Sequence, residues 1–179
     1  MARYGMLIDT RKCVGCFTCR VACERMNGLD FTTPLIHFEE LETGAYPTVT
    51  AETVPVACMH CDDAPCARVC PTGATSIGDD GIVSIDQSKC IGCKQCLFAC
   101  PYGARVFNEA THTMDKCRMC AAQVGEGEPD CSCVAACLTN ARMVGDLDDP
   151  DSAISKAIAE LGAEPLVDGV TQAKVYYVR

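Results

Sequence analysis

A chain of 179 residues with net charge −9, no Trp and few aromatics can fill one ordinary domain or two small ones, and its acidity argues against a nucleic-acid-binding surface, which would be basic. Cysteine accounts for 17 of the 179 residues, so something other than a plain apolar core must hold the interior: disulfides, structural zinc or iron–sulfur clusters. No apolar run approaches the roughly 18 residues of a membrane-spanning helix, and charge interrupts the N-terminus too early for a secretory signal, so neither a span nor an export signal of its own is expected.

In chain order, a strand is predicted over residues 4–9, leading into a first cysteine group, Cys13, Cys16, Cys19 and Cys23, spaced C-x2-C-x2-C-x3-C. A short helix from Cys19 to about Met26 follows, and residues 33–56, with Pro34, Pro47 and Pro55, read as an extended insertion of strand character. The second group is Cys58, Cys61, Cys66 and Cys70, spaced C-x2-C-x4-C-x3-C and followed by Pro71. A hairpin with its turn at Asp79-Asp80-Gly81 delivers the chain to the third group, Cys90, Cys93, Cys96 and Cys100, before Pro101. The arrangement then repeats: a C-P-x-G-A run opens a second hairpin, which leads to Cys117, Cys120, Cys133 and Cys137, spaced C-x2-C-x12-C-x3-C. Another strand is expected over residues 141–146, and Asp151 or Ser152 should cap a helix over residues 154–161.

Three thiolates at i, i+3 and i+6 in a non-helical loop can wrap one face of an iron–sulfur cubane. The run C-x2-C-x2-C-x3-C-P is that of bacterial ferredoxins, in which the fourth cysteine ligates the other cluster. The third group matches every specified position, and the first departs only in having Glu24 for the proline. Gly15 and Gly92, between the first two cysteines of their groups, would let the backbone come close to a cluster. Disulfides fit poorly, because the cysteine count is odd and no export signal is seen. Zinc would use two C-x2-C pairs and leave the third and fourth cysteines of each run without a role. Cys131 is left over; spacing favours Cys133 as the ligand in its group.

Paired loops joined by hairpins resemble the two-cluster bacterial ferredoxin fold, here present twice. The expected fold class is α+β, with short hairpins and short helices. Nested pairing makes residues 1–32 and 111–146 a discontinuous outer unit, residues 33–52 an insertion, residues 53–110 an inner unit and residues 147–179 a partner-wrapping tail. Cys13, Cys16 and Cys19 would then share a cluster with Cys137, and Cys117, Cys120 and Cys133 with Cys23. Likewise Cys58, Cys61 and Cys66 would take Cys100, while Cys90, Cys93 and Cys96 would take Cys70. Sequential pairing, first group with second and third with fourth, is the alternative.

Over nearly its whole length the chain resembles the four-cluster beta subunits of molybdopterin oxidoreductases of the dimethyl sulfoxide and polysulfide reductase type. The matching residues include Tyr4-Gly5-Met6-Leu7-Ile8-Asp9, Lys12-Cys13-Val14-Gly15-Cys16, Cys58-Met59-His60-Cys61, Cys70-Pro71-Thr72-Gly73-Ala74, Lys89-Cys90-Ile91-Gly92-Cys93, Cys100-Pro101-Tyr102-Gly103-Ala104 and Lys116-Cys117-Arg118-Met119-Cys120. The resemblance implies four [4Fe–4S] clusters on sixteen cysteines and no catalytic residues. The clusters would pass single electrons between a molybdenum or tungsten pterin catalytic subunit and a redox partner, such as a quinone-binding membrane subunit. The location would be cytoplasmic, or export in the folded state with the catalytic subunit to the outer face of the inner membrane. A free polyferredoxin-type carrier and a zinc-organised interaction module are the competing functions.

Other residues invite bland readings. His60, inside a C-x2-C, reads as a local hydrogen-bonding or surface residue; His37 and His112 carry no signal. Lys12, Lys89 and Lys116, each before a first cysteine, read equally as potential-raising charges or as solvated lysines. Met59, Met114 and Met119 read as packing, and Gly125-Glu126-Gly127-Glu128 is not a phosphate loop.

Overall fold

The computed structural model describes residues 2–120, 130–167 and 169–179, and the Gly125-Glu126-Gly127-Glu128 run lies outside them. Short helices and small sheets are mixed along the chain, an α+β arrangement. Strand β1, Tyr4–Asp9, has the predicted bounds; β8, Arg142–Asp146, pairs antiparallel with it from Tyr4↔Asp146 to Ile8↔Arg142. On the other side of β1 lies β10, Val175–Val178, parallel and in register from Met6↔Val175 to Asp9↔Val178. Strand β9, Glu164–Pro165, closes the order β8-β1-β10-β9.

This sheet is covered on both faces, which is why β1 reads as a nearly continuous apolar run. Met6, Ile8, Val175 and Tyr177 face the cysteine-bearing body, while Leu7 and Val178 face helix α5, Ala153–Leu161. Of the two capping candidates the structure selects Ser152, whose Oγ accepts from the Ser155 N–H at 3.2 Å; Gly162, left-handed at φ 60°, ends the helix. Ile154 anchors α5 against the sheet and is 1% exposed.

The other strands form three independent hairpins. Strands β2, His37–Ala45, and β3, Thr48–Val56, make the expected insertion a hairpin whose base is buried at Val54 and Val56. Strands β4, Thr75–Ile77, and β5, Val83–Ile85, flank the Asp80-Gly81 turn, and β6, Val106–Asn108, with β7, Thr113–Asp115, repeats the pattern. Helix α1, Thr18–Asn27, packs on α4, Ser132–Ala135, while α2, Pro65–Arg68, packs on α3, Gln95–Ala99. The segment read as a tail is tied into the body: β10 occupies an inner position in the sheet, Tyr102 and Thr171 share a hydroxyl hydrogen bond at 2.8 Å, and Lys174 pairs with Asp62 at 2.6 Å.

Truncating Ile154 to Ala removes the anchor of α5 and is expected to cost about 2–5 kcal/mol. Thermal unfolding should show the lower Tm while iron content at low temperature stays unchanged.

Candidate metal centre

Each cysteine group is built on the same local device. The residue before the second cysteine is left-handed in all four groups: Gly15 at φ 62°, His60 at 46°, Gly92 at 65° and Met119 at 48°. That conformation folds the C-x2-C segment back on itself and brings two thiols to one side. It costs little at glycine; at the other two positions it is a strained state that the surroundings must hold, of the kind that gathers at functional sites. His60 and Met119 are both fully buried, so packing holds them there. The third cysteine is then the second residue of a helix in every group, Cys19 in α1, Cys66 in α2, Cys96 in α3 and Cys133 in α4. Cys131 is instead the N-cap of α4, out of step with that position, and its thiol donates to the Met119 carbonyl at 3.3 Å. This equivalence reinforces the preference for Cys133.

The thiols gather across groups. Cys13, Cys16, Cys19 and Cys137 line one cavity, closed by Phe17 and Phe38. Cys23, Cys117, Cys120 and Cys133 line a second, which Cys58 and Cys131 also border. In the remaining half, Cys61 lies in the electrostatic reach of Cys58, Cys66 and Cys100, while Cys96 lies in that of Cys66, Cys90 and Cys70. Cys93 is exposed at the surface of its loop, as Cys16 is. Among the described residues no three such side chains converge at the spacing of a single bound ion; the thiols stand around their cavities.

Their electrostatics are divided. Burial pushes the Cys23 thiol up to about 12, with Cys133 and Cys120 adding to the effect, and drives Cys117 higher still. Such thiols lose their protons when a metal takes the sulfur electron pair and the proton is released to solvent. At Cys70 burial is outweighed by N–H groups of Thr75, Thr72 and Ala74 and by the Thr72 hydroxyl, which hold the thiol at about 7. Other donors aimed at sulfur are the backbone N–H of Ala141 on Cys137 at 3.2 Å, of Met114 on Cys90 at 3.4 Å and of Met119 on Cys117 at 3.4 Å. Hydrogen bonds of this kind to sulfur raise the potential of an iron–sulfur centre.

Positive charge is buried among the thiols. Arg105, Lys116 and Arg142 are 5%, 2% and 6% exposed, and among the described residues none has a carboxylate within ion-pair distance. Arg142 Nη2 is buried without any hydrogen-bond partner there. An unpaired buried cation is costly, so its natural complement is an anionic group held by the thiols. Iron–sulfur clusters on four thiolates are such groups, and the donor set, its spread and these cations fit them.

The bland readings divide accordingly. Lys12 and Lys89 are solvated, paired with Asp9 and Asp86 at 3.5 and 3.0 Å, whereas Lys116 is interior and its Nζ donates to the Cys117 carbonyl at 2.7 Å. The shared Lys-Cys-x-x-Cys context conceals that difference. His60 is no surface residue: burial pulls its pKa well down, and its neutral Nδ1 accepts the Val83 N–H at 3.2 Å. The buried role of Arg105 and Arg142 was missed in the sequence; the signal was their shared position five residues after a fourth cysteine.

Four such loops, with thiols pooled between them, define an iron–sulfur electron-transfer protein of ferredoxin type. A family model described as "4Fe-4S dicluster domain" matches residues 49–147. The chain is 38% identical to a putative dimethyl sulfoxide reductase iron-sulfur subunit of Halobacterium salinarum, covering 99% of this chain and 79% of the relative. It is 38% identical to a sulfite dehydrogenase subunit of Allochromatium vinosum, with coverages of 93% and 78%, and 42% identical to a tetrathionate reductase subunit of Salmonella typhimurium, with coverages of 86% and 62%. The chain belongs to the 4Fe–4S dicluster family, as an iron–sulfur beta subunit of the molybdopterin-oxidoreductase type: an electron-transfer subunit and not the catalytic one.

The two loop glycines are not equal. A Cβ at Gly15 would meet the Thr53 side chain at 3.3 Å, but at Gly92 it would lie 2.5 Å from the His112 carbonyl oxygen. Both Gly→Ala changes incur the left-handed cost of about 1–2 kcal/mol. Gly92→Ala should in addition lose bound iron, measured on anaerobically purified protein, where Gly15→Ala keeps most of it.

Proposed function

We propose that sixteen cysteines hold four [4Fe–4S] clusters in a single row, and that the row carries electrons between a catalytic subunit and a second redox partner. A cluster of this kind supplies one-electron redox chemistry. The ligand sets are Cys13, Cys16, Cys19 with Cys137; Cys117, Cys120, Cys133 with Cys23; Cys58, Cys61, Cys66 with Cys100; and Cys90, Cys93, Cys96 with Cys70. This makes the outer ferredoxin-like unit discontinuous in sequence and the inner one continuous. The packing of α1 on α4 and of α2 on α3 supports it.

The observation that carries the reading is the adjacency of the sets. Cys96 of the Cys90 set lies in reach of Cys66; Cys58 borders the cavity of the Cys117 set and acts on Cys117; Cys19 of the Cys13 set lies in reach of Cys133. The order is therefore Cys90 set, Cys58 set, Cys117 set, Cys13 set. Each end carries an exposed cysteine, Cys93 or Cys16, beside exposed apolar residues: Ile91 and Phe98 at one end, Val14 and Phe17 at the other. Two such ends suit two fixed partners better than one diffusing encounter. One partner is a molybdenum or tungsten pterin catalytic subunit, as the resemblance to reductase subunits suggests; the other is a quinone-linked membrane subunit. Among the described residues no helix is long and apolar enough to cross a membrane.

Elemental analysis of the complex purified anaerobically should give about sixteen iron per copy of this chain, the total of four cubanes, with stoichiometric molybdenum or tungsten. Zinc in place of iron would overturn the reading, and iron without a pterin metal would return it to a free carrier.

Pairing is tested separately by EPR of single Cys→Ala variants. The signal missing from Cys13→Ala should be the one missing from Cys137→Ala. If it matches Cys70→Ala instead, the sequential pairing holds and the nested one fails.

A further inference from the structure

Two arginines stand at the same place in an internal repeat. Arg105 ends Cys100-Pro101-Tyr102-Gly103-Ala104-Arg105, and Arg142 ends Cys137-Leu138-Thr139-Asn140-Ala141-Arg142. The backbone repeats with the letters, since Gly103 and Asn140 are both left-handed, at φ 59° and 50°. The second cysteine group has the same run, Cys70-Pro71-Thr72-Gly73-Ala74-Thr75, with Gly73 at φ 64° and Thr75 in the arginine's place. Inside the inner unit the two equivalent positions meet: Arg105 Nη1 donates to Thr75 Oγ1 at 3.3 Å and Nη2 to Cys66 Sγ at 2.7 Å. In the first group the equivalent position is Gly28, which ends α1 and has no side chain to offer. Arg142 accordingly donates from Nη1 to Met6 Sδ at 3.5 Å, and among the described residues its Nη2 has no hydrogen-bond partner.

Each arginine lies between two thiol sets. Arg142 lines both the cavity of the Cys13 set and that of the Cys117 set, in the electrostatic reach of Cys133, Cys19 and Cys117. Arg105 touches Cys66 of the Cys58 set and lies in reach of Cys96 of the Cys90 set. A guanidinium is charged at any working pH, and neither has a carboxylate to neutralise it among the described residues.

We infer that Arg105 and Arg142 are positioning charges, one per ferredoxin-like unit, each of which raises the reduction potentials of the two clusters on either side of it together. The inference rests on the ligation proposed above. Reducing a cluster adds one negative charge to it, and a fixed cation in a dry interior favours the more negative state. Because one guanidinium lies between the two sets of its unit, it moves both members of that unit further than those of the other.

The test is an EPR-monitored redox titration of the intact complex with Arg142→Gln, Arg142→Lys and the matching Arg105 variants, iron content being measured first. Arg142→Gln should shift to lower potential the two signals that Cys13→Ala and Cys117→Ala abolish, and by more than the other two; Arg105→Gln should do the converse. The Lys variants should recover most of each shift, and the shifts should persist at high salt, since a buried charge is poorly screened. Fully loaded Gln variants with unchanged midpoints would overturn the inference. So would Lys variants that shift as far as Gln, or loss of iron from Gln and Lys variants alike, each of which makes the arginine a structural filler. Unsubstituted protein lacking four separate signals would instead count against the ligation itself.

Discussion

Four left-handed residues, Gly15, His60, Gly92 and Met119, set the terms for the rest of the molecule. Each turns a C-x2-C segment so that its two thiols come to one side, and each leaves the chain aimed at a helix whose second residue is the third cysteine. Helices α2, α3 and α4 are too short to be stable by themselves. They persist because α2 packs on α3 and α4 on α1, which is also what brings the fourth cysteine of one loop to the cavity of another. Local conformation and long-range pairing are therefore one constraint seen at two scales.

Much of this was legible in the sequence. The strand at residues 4–9, the hairpin turn at Asp80-Gly81 and the cap before α5 were readable because each has a local signature. Gly15 and Gly92 announced their turns by lacking a Cβ; His60 and Met119 did not, because burial holds those residues in a conformation their side chains do not advertise. Spacing favours Cys133 over Cys131, and Cys133 shares the helix position of Cys19, Cys66 and Cys96.

What could not be read was decided by contacts between distant segments. Lys12, Lys89 and Lys116 share one motif, but Lys12 and Lys89 sit on outward loops beside acidic neighbours while Lys116 follows the fully buried β7 into the interior. The parallel pairing of β10 with β1 joins residues about 170 apart and leaves no mark on either segment. Arg105 and Arg142 look like ordinary surface arginines until the repeat is aligned on the fourth cysteine of each group.

The position of β10 has a consequence for assembly. A strand late in the chain occupies an inner place in the sheet, between β1 at one end of the sequence and β9. The face that β1 turns toward the cysteine-bearing body is completed by Val175 and Tyr177, and Tyr177 donates to the Pro55 carbonyl at 3.1 Å. Val175 also lines the cavity of the Cys117 set, so β10 supplies part of the wall between the sheet and that set. Docking of β10 on β1 and closure of that cavity are therefore one packing event.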